Sequence, residues 1–98
     1  MRRLTATVGL LLLSVALLSA ESVTVTVTDR DLEIPLEGVT VRITEGEGAS
    51  GVTGPDGRVT LDIDYPASGL QVLELSLIGY EPQRRLLRKG SDGLEVEM

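Results

Sequence analysis

The chain contains no histidine, cysteine, tryptophan, phenylalanine or asparagine, a single lysine (Lys89), and two aromatic residues, Tyr65 and Tyr80. Each gap closes a route to function. Without histidine the commonest general base near neutral pH is missing. Without cysteine there is no thiol nucleophile and no disulfide, and without both the usual zinc ligand sets cannot be assembled. An internal Lys-Asn isopeptide crosslink needs an asparagine. The length of 98 residues excludes a multidomain enzyme, since two independent cores need roughly 100 residues or more.

Much of the apolar content sits at the front. Arg2 and Arg3 precede an apolar stretch over residues 8–18, and Leu18-Ser19-Ala20 ends it just before Glu21. A basic start, an apolar centre and a small-residue end form a secretory signal peptide. Gly9 and Ser14 interrupt the stretch, which falls short of the about 20 apolar residues that a spanning helix needs. Residues 1–20 are therefore expected to form a cleaved signal helix and residues 21–98 one exported domain. Leu18 is large for a position shortly before a cut, so cleavage after Ala16 and a retained anchor are the alternatives. No cysteine follows to accept a lipid.

The leader holds two of the nine basic residues and none of the fifteen acids, so residues 21–98 carry seven basic against fifteen acidic side chains, a net of −8. A nucleic-acid partner is excluded, because phosphate binding needs a basic stripe. With no crosslink, the stability of so small a domain rests on its apolar core and amounts to about 3–5 kcal/mol.

Beyond the leader the apolar residues recur at every second position. Val23, Val25 and Val27 alternate with threonines; Val39, Val41 and Ile43 do the same with Thr40, Arg42 and Thr44. A short third run covers residues 51–53, Val59, Leu61 and Ile63 make a fourth, and Leu73, Leu75 and Leu77 a fifth. Residues 83–89 form a weaker basic run in which Leu86 and Leu87 break the alternation, the mark of a bulge or an edge strand. Leu94, Val96 and Met98 close the series. Period two is the signature of half-buried strands, and no window shows the 3.6 period of a helix. Gly54-Pro55-Asp56-Gly57 reads as a type I turn, expected to join the third and fourth strands as a hairpin. Seven short strands at this spacing predict an all-β, seven-stranded antiparallel Greek-key β-sandwich with an aliphatic core.

The chemistry that such a chain can carry is sparse. The acid pairs Asp29/Asp31, Glu45/Glu47 and Asp62/Asp64 are either a solvated acidic surface or, where the loops bearing Asp29, Asp31, Glu45 and Glu47 meet, a weak calcium site; no EF-hand spacing is present. Two carboxylates can hydrolyse glycosides only inside a walled cleft that raises one pKa, and the chain is too short to build one. Ser91 and Lys89 lie in a turn with nothing to lower the lysine pKa. Neither a catalytic residue nor a cofactor is expected.

Four pieces occur together: the strand over residues 23–28, the link Ile34-Pro35-Leu36-Glu37-Gly38-Val39-Thr40-Val41, the turn Thr53-Gly54-Pro55-Asp56-Gly57-Arg58, and Leu77-Ile78-Gly79-Tyr80-Glu81. In this order they resemble the carboxypeptidase regulatory-like domains, and the resemblance covers nearly all of residues 23–98. It implies a transthyretin-like, prealbumin-type sandwich without catalytic activity, placed in exported bacterial proteins behind the signal peptide of TonB-dependent outer-membrane receptors. Pro35, Leu36, Gly38, Pro55, Asp56, Gly57, Gly79 and Tyr80 are its motif residues. Gly38 and Gly57 suit backbone conformations that a side chain hinders. Leu36 and Tyr80 are candidates to plug the open ends of the sandwich, Tyr80 alternatively a binding aromatic at a loop tip. With no plug or barrel after Met98, the chain reads as a stand-alone relative or as the front of a longer protein.

Arg84, Arg85, Arg88 and Lys89 form the one basic cluster. Cations on an edge strand block unwanted pairing; the sharper reading is a docking patch for an acidic partner or for phospholipid head groups. The expected function is a non-catalytic accessory or interaction domain in the periplasm or at the outer membrane. It would bind a protein partner, or the rest of a larger receptor, by strand addition at the terminal strands, residues 23–28 and 94–98, with no small-molecule substrate. A membrane would be reached through an attached barrel or an uncleaved leader. A carbohydrate-binding or adhesin-type module is the second reading; it would depend on Tyr65 and Tyr80 as sugar platforms.

Overall fold

The structure, a computed structural model, describes residues 20–44 and 49–98. The expected signal helix and the loop acids Glu45 and Glu47 lie outside the described residues. Within them the chain forms seven strands and no helix: β1 (Ala20–Thr28), β2 (Thr40–Ile43), β3 (Ser50–Val52), β4 (Arg58–Asp64), β5 (Leu70–Ser76), β6 (Gln83–Arg88) and β7 (Gly93–Glu97). They make a three-stranded sheet in the order β4-β1-β7 and a four-stranded sheet in the order β3-β2-β5-β6.

One parity of each strand supplies the core between the sheets. Val23, Val25 and Val27 of β1 are fully buried, and Leu61 and Ile63 of β4 and Val96 of β7 lie beside them. The other sheet contributes Val41, Ile43, Leu73, Leu75 and Leu87, and all belong to one apolar cluster. Burial of such side chains is worth roughly 1.5–3 kcal/mol each. The opposite parity is polar: Thr24 of β1 shares a hydrogen bond with Thr60 of β4 at 3.0 Å between their hydroxyls, a cross-strand pair of the kind that supports antiparallel sheets.

In two respects the strands pair otherwise than the sequence suggests, and in a third one of two alternatives holds. The sheets are not wholly antiparallel, because β7 runs parallel to β1 from Thr24↔Gly93 to Thr28↔Glu97. The turn at residues 89–92 reverses the chain while it steps from the edge of one sheet to the other, so β7 leaves in the direction of β1. The turn at residues 54–57 does form, with the Gly57 N–H donating to the Gly54 carbonyl at 2.9 Å, yet it does not make a hairpin. β3 pairs with β2 and β4 with β1 over seven positions. The turn passes the chain between sheets, and Gly51 of β3 lies so close to Val59 and Leu61 of β4 that an added Cβ would stand 2.7 Å from Val59. Thirdly, β6 is an edge strand, as one alternative held, but carries no bulge: its register with β5 is unbroken from Leu70↔Arg88 to Leu75↔Gln83. Leu86 simply points outward, 61% exposed, and Leu87 inward.

The placement of β1 also revises an expectation about binding. Paired with β4 on one side and β7 on the other, residues 23–28 have no free edge to receive an added strand; β7 does.

Leu75, fully buried in β5, is the sharpest probe of this core. Leu75→Ala should cost about 2–5 kcal/mol, comparable to the about 3–5 kcal/mol available to a domain of this size. Urea unfolding followed by circular dichroism should show the variant largely unfolded at the start of the titration.

Candidate functional site

The motif residues converge at the end of the sandwich where β1 stops. There the loops at residues 29–39, 53–57 and 77–82 come together, and Met98 joins the first of them, its N–H donating to the Thr28 carbonyl at 2.9 Å and its carbonyl accepting the Arg30 N–H at 2.8 Å. Directly after β1 comes Asp29, a carboxylate only 8% exposed. Its Oδ1 accepts the backbone N–H groups of Asp31 and Leu32, both at 2.8 Å, and its Oδ2 accepts the Tyr80 hydroxyl at 2.6 Å. The Asp29 N–H reaches the Ile34 carbonyl at 2.9 Å and its carbonyl takes the Glu33 N–H at 2.9 Å. This closes the loop around Glu33, which adopts a left-handed φ of 56°. An aspartate that ends a strand and caps the following turn is the expected use of this side chain.

Three donors aimed at one carboxylate favour its charged form. The Tyr80 hydroxyl foremost, then the Leu32 N–H, holds Asp29 below its ordinary 3.8 against an opposing effect of burial. The same hydrogen bond, followed by burial and the charges of Asp29 and Asp31, pushes the Tyr80 phenol above 10.0. Tyr80 thus closes this end, its ring packed against the core and its hydroxyl on Asp29, a role for which it was one of two candidates. Gly79, at φ 91°, shapes the turn that brings it there, and the Tyr80 N–H donates to the Leu77 carbonyl at 3.0 Å.

The other motif residues lock the link between β1 and β2. Pro35 bridges to Thr28, and the N–H of Leu36, itself buried, reaches the Val27 carbonyl at 3.0 Å. Gly57 fits against this link at φ 73°, and a Cβ there would stand 2.5 Å from the Val27 carbonyl and 3.1 Å from the Pro35 ring. Its own carbonyl accepts the Val27 N–H at 2.8 Å, so only glycine suits both its backbone and its neighbours. Asp56 holds the turn that Pro55 begins by accepting the Arg58 N–H at 3.1 Å. Gly38, at φ 86°, donates its N–H to the Thr53 carbonyl at 3.0 Å.

Thr53, which composition does not single out, is the hub. Only 3% exposed, its hydroxyl donates to the Leu36 carbonyl at 2.6 Å and accepts the Val39 N–H at 3.0 Å. The only sign of it in the sequence is a threonine directly before a Gly-Pro-Asp-Gly turn.

An open hollow of about 390 Å³ lies against this end, with Asp29, Asp31, Tyr80, Glu81 and Met98 among its walls. Among the described residues no three acidic side chains come together to hold a metal ion. Of the expected calcium ligands, Asp29 is engaged by three protein donors and Asp31 is exposed, while Glu45 and Glu47 lie outside the described residues. Asp62 and Asp64 face solvent on β4, Asp62 accepting the Ser22 hydroxyl at 2.9 Å.

The basic cluster divides by strand parity. Arg84 and Arg88 lie on the outer face of β6, and Lys89 is exposed in the turn beyond it. Arg85 has the inward parity and is half-buried at the flank of the sandwich. It donates to the Arg84 carbonyl at 3.0 Å and to the Gln83 side chain, which in turn donates to the Glu97 carbonyl at 3.3 Å. Arg85 is thus tied to its own strand, and Gln83 is the residue that reaches from β6 to β7. Glu74 of β5 is flanked by Arg42 at 2.9 Å and Arg84 at 3.4 Å; the Arg42 hydrogen bond first, then its charge, holds the Glu74 carboxyl below its ordinary value. Tyr65 packs on the core at the opposite end, its hydroxyl buried without a partner among the described residues. Burial first, then the charge of Glu21, raises its pKa.

Compared with known proteins, the chain matches no protein-family model and no curated relative.

Two outcomes test this end of the sandwich. Thr53→Val keeps the shape and strands the Leu36 carbonyl and Val39 N–H, which should cost about 1–3 kcal/mol for an unpaired buried group; Thr53→Ser should restore most of it in urea melts. For the Asp29–Tyr80 bond the sign follows from linkage. Asp29, lowered from 3.8, contributes stability above that value and loses it as the pH falls through the folded pKa; Tyr80, raised from 10.0, loses it as the pH rises through its own. Tyr80→Phe should accordingly be less stable than the parent between these limits and equal to it in stronger acid, as read by urea unfolding across the pH range.

Proposed function

We propose that this chain is an exported, non-catalytic accessory domain of the carboxypeptidase regulatory-like kind, working by protein contact in the periplasm or at the outer membrane. It would stand either at the front of a TonB-dependent receptor or alone as a relative of that module. The observation that carries this reading is the convergence of Pro35, Leu36, Gly38, Gly57 and Tyr80 on one end of a two-sheet β fold, where their bonds are spent on holding loops to strands. A chain that uses its few special residues for the frame leaves function to its surfaces. The signal-like leader supports export.

The mechanism we favour is strand addition. β7 edges its sheet, and the Glu97 carbonyl already accepts a side-chain donor, Gln83, from outside that sheet. A partner strand laid along β7 would extend the ladder past Glu95, and the acids Glu95 and Glu97 on its outer face would favour a basic partner segment. A photocrosslinking residue in place of Glu95 should trap one defined protein in the cells that make this chain, and the same probe at Thr24, on the interior strand β1, should trap none. Absence of any crosslink from Glu95 would remove the strand-addition reading.

A further inference from the structure

The two outer faces of the sandwich carry opposite charge. On the three-stranded sheet the exposed charges are Asp62 and Asp64 of β4 and Glu95 and Glu97 of β7, against Arg58 alone. On the four-stranded sheet they are Arg42 of β2 and Arg84 and Arg88 of β6, against Glu74 alone, and Glu74 is held between Arg42 and Arg84. Lys89 adds a further cation just beyond β6. A domain rich in acids thus keeps one cationic face.

That face carries apolar side chains along its β6 edge. Leu86 lies between Arg84 and Arg88 on β6, directly opposite Val72 on β5, and Leu70 stands opposite Arg88. Leu86 is 61% and Leu70 37% exposed. Edge cations alone would protect β6 from unwanted pairing, but protection does not call for leucines on the same face. Apolar side chains framed by arginine and lysine on a flat surface match an anionic bilayer, which offers phosphates at its surface and acyl chains just beneath.

We propose that the outer face of the four-stranded sheet docks on an anionic phospholipid surface. Arg84, Arg88 and Lys89 engage head-group phosphates, Leu86 and Leu70 enter the interface, and the acidic face of the other sheet, repelled by the same membrane, orients the domain. A chain with a secretory leader reaches such a surface in the course of export. This inference rests on the two faces and not on strand addition at β7; each can fail without the other.

The absence of native cysteine allows a unique fluorescent label in the full chain. Leu86→Cys carrying an environment-sensitive dye should shift to the blue with vesicles of phosphatidylcholine containing phosphatidylglycerol and not with phosphatidylcholine alone. The same dye at Thr60→Cys, on the opposite face, should not respond. Each cation near an anionic membrane is worth about fivefold in binding, so Arg84→Gln with Arg88→Gln should weaken the Leu86 response at least about tenfold, and added salt should act in the same direction. Arg84→Glu with Arg88→Glu should abolish it, circular dichroism confirming the fold of both variants. Equal shifts of both labels in both kinds of vesicle would mean that the leader alone binds lipid and would overturn the proposal. So would a Leu86 shift that grows with protein concentration in the absence of vesicles, the mark of a second copy on this face, or no shift at all.

Discussion

Everything in this fold leans on β1. Its three inward valines are fully buried, and it is the one strand of its sheet with a neighbour on both sides. A chain without disulfides and with two aromatic residues has only aliphatic area with which to oppose the entropy of ordering its backbone. A strict Val-Thr alternation is an economical way to use it, because branched side chains of both kinds favour extended backbone. The valines seal the core, and on the outer face Thr24 shares a hydroxyl hydrogen bond with Thr60.

The loops at the far end of β1 apply the same logic to polar groups. Asp29, Thr53 and Gly57 sit where the backbone leaves the ladders and would otherwise lose its hydrogen bonds in a half-buried place. One carboxylate, one hydroxyl and one missing side chain accommodate the links between β1, β2 and β4, and Tyr80 fastens the loop after β5 to the same point. The bonds of the motif residues hold loops to strands, which directs attention to the edges and faces of the sheets.

How much of this could be read beforehand depended on whether the physics was local. The seven strands, the inward parity of the five with a regular alternation and the turn at Pro55-Asp56 follow from patterns within a few residues, and the structure shows each of them; over residues 83–89 the pattern left a bulge or an edge strand open, and the structure shows the edge. Which strand lies beside which does not. Parity says that Val59 faces the core, but not that its strand faces β3 across that core instead of pairing with it; the direction of β7 is set by how the chain crosses between sheets. At the site, Tyr80 and Gly57 were legible because rings and glycines have few uses in a small β domain. Thr53 and the capping role of Asp29 were not, since any of the many threonines and acids of this chain could have been the buried one. Arg85 was placed with its neighbours by charge, and only the parity of an unbroken register separates it from them.

The parallel pairing of β1 with β7 has a kinetic side. The earliest strand of the domain cannot complete its sheet until the latest has been made, because β7 occupies the edge that nothing else fills. Such non-local closure slows folding relative to hairpin-by-hairpin assembly. For an exported domain, as proposed above, that delay would keep the chain threadable until β7 has crossed.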